Sequence, residues 1–252
     1  MKRYLKKVVY CTKDRPGEII SQQSGILYVT DSSQKLKLLK GMNLPVAVWL
    51  CEDNKDQDLS AAAYAIEDPL SLDEESFEQI YRREKQIPWD ILETDRCLVR
   101  EMVPEDAVYF AKMYENPEVS RYLKDYHGSI EAEAQYIKEY QQHYRFYEYG
   151  VWSVLLKETG EVIGRVGFSQ MEEMDSDIPG FGYMIEPKWQ GQGIAYEVSR
   201  AALDYAKQWL GMDVVQLMVD ADNKKSISLA EKLGFSDNGS SCHMLRKMLH
   251  LN

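Results

Sequence analysis

The sequence predicts an α/β (α+β) protein in which a small βαβ-type domain precedes a larger domain with a mixed sheet. Its 252 residues are enough for two domains of ordinary size. Segment 86–90 contains Pro88, which cannot continue the helix predicted before it, and this indicates a linker. Because strands and helices alternate differently on its two sides, the expected domains are residues 1–88 and 89–252.

The first domain contains one clear strand–helix–strand unit. Buried strands are predicted at 25–30 and 45–50, with a helix at 32–39 between them that Gly41 closes. A weaker strand at 62–66 and an amphipathic helix at 72–84 follow.

The second domain has more elements in a different order. We expect strands at 97–102, 151–157, 161–170, 182–185, 214–219 and near 241–249, and helices from 104, at 129–147, 193–210 and 224–233. Ser129 is a suitable N-cap for the second of these helices, and Gly234 a suitable C-cap for the last.

The net charge of −11 is unevenly distributed. Residues 1–90 carry 13 basic and 15 acidic side chains, whereas residues 91–252 carry 17 basic and 26 acidic ones. An acidic surface repels nucleic acid, whose binding depends on Lys and Arg at phosphates. It attracts cationic partners such as amines or basic proteins.

Cysteine and histidine spacing gives no sign of a metal site. The four cysteines and four histidines are scattered and form no Cys-x-x-Cys or zinc pattern, so we expect free thiols and no metal. No apolar run is long enough to span a bilayer, which predicts no membrane partner. The basic N-terminus is followed by no cleavage signal, so we expect a cytoplasmic protein.

The most informative segment is 183–195, in which a strand, a glycine-containing loop and a helix follow one another. Gly191 and Gly193 allow the loop to curl so that N–H groups converge, and the helix N-terminus adds unpaired donors. Such an arrangement binds an anion, especially a pyrophosphate. The dinucleotide fingerprint fails, because its third small residue would be Tyr196.

The loop resembles the acyl-CoA loop of the GNAT acetyltransferase superfamily. That family's pattern, Gln/Arg-x-x-Gly-x-Gly/Ala, is matched by Gln190-Gly191-Gln192-Gly193-Ile194-Ala195. Its downstream Asn-x-x-Ser and Leu-Gly-Phe are matched by Asn223-Lys224-Lys225-Ser226 and Leu233-Gly234-Phe235. Together with the opening at 93–100, residues 91–252 resemble the branch of ribosomal-protein N-terminal acetyltransferases (the Rim type).

The resemblance implies a site for acetyl-CoA as co-substrate. The strand of Tyr183, Met184 and Ile185 would pair with the pantetheine arm, and one of its N–H groups would stabilise the oxyanion. The loop would hold the pyrophosphate through the backbone of Gln190, Gly191, Gln192, Gly193, Ile194 and Ala195. Asn223 and Ser226 would lie beside the pantetheine and the thioester. The acetyl group would pass directly to a primary amine, either a small molecule or a protein N-terminus, without a covalent enzyme intermediate.

Two positions depart from the family pattern. Gly180 stands where many relatives have a carboxylate near the amine, although an amine attacks only when neutral and needs a general base. The acids nearby are Glu172, Glu173, Asp175 and Asp177, of which we choose Glu173. Ala230 stands where many relatives have a tyrosine, so Ser226 inherits protonation of the leaving thiolate. An inactive acyl-CoA sensor is the alternative that these departures suggest.

Aromatic residues are concentrated between 136 and 152. They are Tyr136, Tyr140, Tyr144, Phe146, Tyr147, Tyr149 and Trp152, with His143 among them. The run could form a wall for the acceptor or the packed face of a helix, and we favour packing.

The first domain resembles part of a haloacid-dehalogenase-type phosphatase core. Residues 28–32, the helix after them and residues 41–49 carry this resemblance. The family's Asp-x-Asp nucleophile pair is missing from residues 1–90, so hydrolysis of phosphate esters is not expected. A docking, dimerising or acceptor-gating domain is the better interpretation, and a homodimer is one assembly it would allow.

Overall fold

The computed structural model divides the chain into two compact units, residues 1–89 and 90–252. It describes residues 3–13, 20–123, 127–170 and 175–251. The division falls directly after Trp89, a buried residue of the first unit. Each unit is treated by itself below.

The first unit is a four-stranded parallel sheet in the order β1-β2-β3-β4. Its strands are β1 (Lys7–Cys11), β2 (Ile26–Thr30), β3 (Val46–Trp49) and β4 (Ala65–Ile66), and its helices are α1 (Ser33–Gly41) and α2 (Glu74–Glu84). Leu36 and Leu39 of α1 pack with Tyr28, whereas Phe77 of α2 packs with Leu27. Helices thus cover both faces, as is usual for parallel sheets.

Two polar side chains at the carboxyl end of β2 form hydrogen bonds with the backbone at the end of the neighbouring strand β1. The Thr30 hydroxyl donates to the Cys11 carbonyl at 2.8 Å. The buried Asp31 carboxylate accepts the N–H of Lys13 at 3.2 and 3.1 Å. These contacts give both residues a structural task within the first unit.

The second unit contains an eight-stranded mixed sheet in the order β11-β12-β10-β9-β8-β7-β6-β5. Its strands are β5 (Asp90–Glu93), β6 (Cys97–Glu101), β7 (Val151–Leu156), β8 (Val162–Ser169), β9 (Gly180–Ile185), β10 (Val214–Asp220), β11 (Ser236–Ser241) and β12 (Met244–His250). Its helices are α3 (Ala107–Tyr114), α4 (Pro117–Ser120), α5 (Ile130–Tyr147), α6 (Ile194–Trp209) and α7 (Lys224–Leu233). β9 and β10 run parallel, and the other neighbours are antiparallel. The predicted mixed α/β class is confirmed.

Helix α5 is held against the sheet by two of its tyrosines. The Tyr140 hydroxyl accepts the N–H of Val151 at 3.1 Å, and the Tyr144 hydroxyl donates to the Val151 carbonyl. A methyl group on Gly150 would lie only 2.8 Å from the Tyr144 ring, so glycine is needed for this close approach. Packing therefore accounts for these two residues of the aromatic run.

Several elements are absent from the sequence-based prediction. β1, β5, α4 and the beginning of β11 are not predicted, and Asp90, expected in a linker, begins β5. β11 consists of Ser, Asp, Asn and Gly, which favour turns, and it is held by antiparallel pairing with β12. The Lys247–Asp237 ion pair at 2.7 Å reinforces that pairing.

Two expectations from composition concern thiols and membranes. All four cysteines are free. In the part of the chain that the structure describes, every helix is too short or too polar to cross a membrane.

Candidate active site

Strands β9 and β10 begin side by side and then separate. Their register contains one pair, Gln216 with Gly180, and the Gln216 N–H donates to the Pro179 carbonyl at 3.0 Å. The buried side-chain amide of Gln216 also donates to the carbonyls of Asp175 and Ile178 at 2.7 and 2.6 Å. Gln216 therefore fixes the narrow end of an opening between residues 181–185 and 217–220, which we call the β9–β10 cleft.

The backbone of β9 presents hydrogen-bonding groups to this cleft. Alternate residues of a strand direct their N–H and C=O groups to the same neighbour. The Glu186 N–H donates to Ile163 of β8 at 2.8 Å, whereas the Pro179 carbonyl is bound by β10, so Tyr183 and Ile185 face the cleft. The Ile185 carbonyl accepts from the Gln190 side chain at 2.9 Å. Among the described residues, no hydrogen bond engages the backbone of Tyr183 on this side.

The loop after β9 leads into a helix whose N-terminus has no side-chain cap. Gly191 and Gly193 have φ values of 73° and 81°, a region that glycine adopts without steric cost. Gly193 is the N-cap residue of α6 and offers no side-chain acceptor, whereas Ser129 caps α5 and Asn223 caps α7. The first-turn N–H groups of α6 are therefore open to an external anion.

Cationic side chains lie close to this loop within an otherwise acidic unit. Lys225 Nζ is 3.4 Å from Gln190 Oε1, and Lys232 Nζ is 4.3 Å from the ring centroid of Tyr196 in the first turn of α6. Their position favours an anionic ligand at the N-terminus of α6.

Arg96, in the turn between β5 and β6, is bound to the glycine loop. Its backbone N–H and its Nε donate to the two carboxylate oxygens of Glu197 at 3.0 and 2.7 Å, and its Nη1 donates to the Gln192 carbonyl at 2.9 Å. Burial opposes ionisation of Glu197, but hydrogen bonds from Thr94 and Arg96 keep its pKa below the usual value. Sequence reasoning assigned no role to Arg96 or Glu197, because their contact spans about a hundred residues.

Asn223, Ser226 and Tyr183 are brought together at the start of α7. Asn223 Oδ1 accepts the Ser226 N–H at 3.1 Å and so sets the position of the serine. Burial raises the pKa of the Tyr183 hydroxyl, and the nearby Ser226 side chain partly offsets the rise. The side chain of β9 thus reaches the helix that follows β10.

Of the four acids predicted as candidate bases near β9, the structure describes only two. Glu172 and our choice, Glu173, lie outside the described residues. Asp175 and Asp177 are exposed, and the Asp175 carboxylate accepts the Asp177 N–H at 3.0 Å within its own turn.

A group of possible metal ligands that spacing did not predict lies at the end of β10. One ligand atom each from Asp220, Asp222 and His243 lie within 4.8 Å of one another. Asp222 and His243 are exposed, and Asp220 already accepts the Asp222 N–H at 2.8 Å. We assign no ion to this group.

Comparison with known proteins identifies the second unit. A model of the acetyltransferase (GNAT) domain matches residues 96–236, which is more than half of the chain. The chain belongs to the GNAT acetyltransferase family. The uncharacterized N-acetyltransferase YoaA of Bacillus subtilis is 30% identical over 163 residues, 64% of this chain and 89% of that protein. The spermidine N(1)-acetyltransferase of Escherichia coli K12 is 29% identical over 149 residues, 58% of this chain and 75% of that protein.

Solved structures agree on the fold of this GNAT enzyme. The ribosomal-protein-S5-alanine acetyltransferase from Vibrio fischeri superposes with a TM-score of 0.55 at 16% identity, covering 64% of this chain and 96% of that one. The chain is an N-acetyltransferase that uses acetyl-CoA as its co-substrate. An enzyme is therefore favoured over the inactive sensor.

We predict that Arg96→Ala raises the KM for acetyl-CoA by about five- to tenfold and changes kcat less. The substitution removes charged hydrogen bonds that order the glycine loop, and partial exposure limits their contribution. Steady-state kinetics with varied acetyl-CoA measures the effect. Lys157→Ala, which breaks the nearby 2.8 Å ion pair with Glu93, is the matched control. If both variants had the same KM for acetyl-CoA, the claim that Arg96 orders the glycine loop would be contradicted.

Proposed function

We propose that this GNAT enzyme transfers the acetyl group of acetyl-CoA directly to a primary amine in the β9–β10 cleft. The observation that carries the proposal is the backbone of Tyr183, which no described residue bonds on the cleft side of β9, together with the uncapped N-terminus of α6 to which the following loop leads. An edge with free N–H and C=O groups can accept an extended amide chain, and pantetheine is such a chain.

Each predicted binding residue has a role in this proposal. The backbone of Tyr183, Met184 and Ile185 forms the wall along which the pantetheine lies, and the Tyr183 N–H polarises the thioester carbonyl. The pyrophosphate is held by N–H groups of the loop Gln190, Gly191, Gln192, Gly193, Ile194 and Ala195. Lys225 and Lys232 lie close enough to favour its negative charge.

We assign protonation of the departing thiolate to Ser226. Its N–H is fixed by Asn223, and its side chain lies near the Tyr183 hydroxyl. Ala230 is buried and offers no proton, so Ser226 and the nearby Tyr183 carry the hydroxyl groups at this end of the cleft.

A cationic amine is the acceptor that we favour. Residues 91–252 carry 17 basic and 26 acidic side chains, a formal charge of −9, which attracts polyamines more strongly than neutral molecules. A relative named spermidine N(1)-acetyltransferase is consistent with this class. A protein N-terminus is the other candidate, suggested by the Rim-type resemblance.

The first unit has no assigned part in the transfer. We propose that it is a separate non-catalytic domain that docks, dimerises or gates the acceptor, and that the enzyme acts in the cytoplasm. A homodimer is the assembly that a dimerising first unit would give. Its resemblance to a haloacid-dehalogenase-type core stays a prediction.

The proposed activity predicts acceptor-dependent release of CoA thiol from acetyl-CoA. We expect release with polyamines, and the same assay should contain N-terminal peptides, aminoglycosides and amino acids. Gly193→Trp should abolish release and acetyl-CoA binding in a calorimetric titration, because the side chain blocks the N-terminus of α6. Gly211→Trp is the matched control, since Gly211 has φ 63° at the other end of α6 and no close neighbours. Equal binding by both variants would contradict the site.

Ser226→Ala should lower kcat by about tenfold or more while the KM for acetyl-CoA changes little, because a proton donor contributes in the transition state. Ser228→Ala, at an exposed position of the same helix, provides the control. If kcat in Ser226→Ala equals that of the control, the proton comes from another donor.

A further inference from the structure

The side chain of Gln190 crosses the wide end of the β9–β10 cleft. Its Nε2 donates to the carbonyl of Ile185, the last residue of β9, at 2.9 Å, and its Oε1 accepts from Lys225 Nζ at 3.4 Å. Lys225 lies in the first turn of α7, the helix that follows β10. This amide orientation suits both partners, because a carbonyl accepts and an ammonium group donates. Gln190 therefore connects β9 with the helix beyond β10.

Lys225 has a second partner in α4. Its Nζ lies 3.4 Å from Glu118 Oε2, and the two side chains are 77% and 66% exposed. The next residue, Val119, is buried in the same apolar cluster as Met184 of β9, which fixes α4 to the sheet. An ion pair as exposed as this one contributes little stability. Lys225 is therefore held beside Gln190 but can exchange its partners for a stronger one.

The contact of Gln190 with Ile185 occupies a group that the proposed co-substrate needs. The Ile185 carbonyl faces the cleft and, under the proposed function, would accept an amide N–H of the pantetheine arm. Gln190 already donates an amide N–H to that carbonyl. A pantetheine chain that follows β9 must therefore displace the Gln190 side chain, and one hydrogen bond breaks for the one that forms.

A pyrophosphate at the glycine loop would offset this loss through Lys225. The loop begins at Gln190 and leads to the uncapped N-terminus of α6, so a bound pyrophosphate brings anionic oxygens close to Lys225. Hydrogen bonds between charged groups are roughly twice as strong as neutral ones, so Lys225 gains by exchanging the amide oxygen of Gln190 for a phosphate oxygen. A pantetheine thioester without phosphates offers Lys225 no such partner.

We propose that the Gln190 side chain is a latch that makes the enzyme selective for thioesters carrying a pyrophosphate, with Lys225 and Glu118 as its positioning residues. The inference rests on the proposed acetyl transfer and adds a specificity to it. In the empty enzyme Gln190 closes the wide end of the cleft. When acetyl-CoA binds, Lys225 turns from Gln190 to the pyrophosphate, and Gln190 releases the Ile185 carbonyl to the pantetheine.

The test compares acetyl-CoA with S-acetylpantetheine, which has the same thioester and amides but no phosphate. The full chain and one accepted amine are used throughout. Gln190→Ala should raise kcat/KM for S-acetylpantetheine by about fivefold, the effect of one hydrogen bond that no longer has to be broken, and should raise that for acetyl-CoA less. Pantetheine as a competitive inhibitor of acetyl-CoA should show the same gain as an inhibition constant lowered by about fivefold.

Gln192→Ala separates the latch from disorder of the loop. It removes the 3.1 Å hydrogen bond from the Gln192 side chain to the Lys188 carbonyl, a contact between neighbouring residues. Disorder of the loop lowers kcat/KM for acetyl-CoA but gives S-acetylpantetheine no advantage. The rise with S-acetylpantetheine should therefore occur in Gln190→Ala and be missing from Gln192→Ala.

Lys225→Gln should move the two substrates in opposite directions. Acetyl-CoA loses an attraction for its pyrophosphate, so its kcat/KM should fall, whereas S-acetylpantetheine meets a weakened latch, so its kcat/KM should rise. Lys224→Gln is the matched control, because it removes the same charge from the adjacent exposed residue, whose Nζ donates to the Ala221 carbonyl at 2.6 Å. Lys224→Gln should not raise kcat/KM for S-acetylpantetheine.

The outcomes of this test and of the proposed function can be told apart. If Gln190→Ala gained nothing with S-acetylpantetheine and pantetheine while the unaltered enzyme used acetyl-CoA, the latch alone would be overturned. An equal gain in Gln192→Ala or Lys224→Gln would also overturn it, because neither side chain crosses the cleft in the described contacts. If the unaltered enzyme released no thiol from acetyl-CoA with any acceptor, the transfer itself would fail and this inference with it.

Discussion

The contacts of Gln216 determine the geometry on which the rest of the site depends. One residue joins β10 to the start of β9 through its backbone and holds the preceding loop through its side chain. Beyond this point the strands diverge, so backbone groups that a sheet would normally satisfy become available. The cleft therefore follows from ending the pairing of two parallel strands after a single register pair.

The glycine loop and α7 bring different functional groups to the β9–β10 cleft. Gly193 leaves the N-terminus of α6 uncapped, and Arg96 in the β5–β6 turn restrains the loop through its bonds to Gln192 and Glu197. Asn223 sets Ser226 beside the Tyr183 hydroxyl. An acidic unit can thus bind an anionic co-substrate because local N–H groups and a few cations act at short range, while the overall charge favours a cationic acceptor.

Local sequence patterns were sufficient for much of the fold and for the residues of the loop. The periodicity of α5 and α6, the N-cap at Ser129 and the glycine at 234 predicted elements that the structure contains. β11 was not predicted because Ser, Asp and Gly favour turns, and only pairing with β12 makes this segment a strand. Sequence patterns did not identify the roles of Arg96 and Gln216, because these roles depend on contacts between segments that are distant in the chain.

Amide hydrogen exchange along β9, with and without saturating CoA, tests the central claim most directly. The account predicts that the N–H groups of Tyr183 and Ile185 exchange more slowly when CoA is bound, because the pantetheine occupies the cleft edge. The N–H groups of Gly182 and Met184 face β8 and should already be protected, so they serve as internal controls. If CoA bound but left the exchange of Tyr183 and Ile185 unchanged, the cleft would not be the pantetheine site.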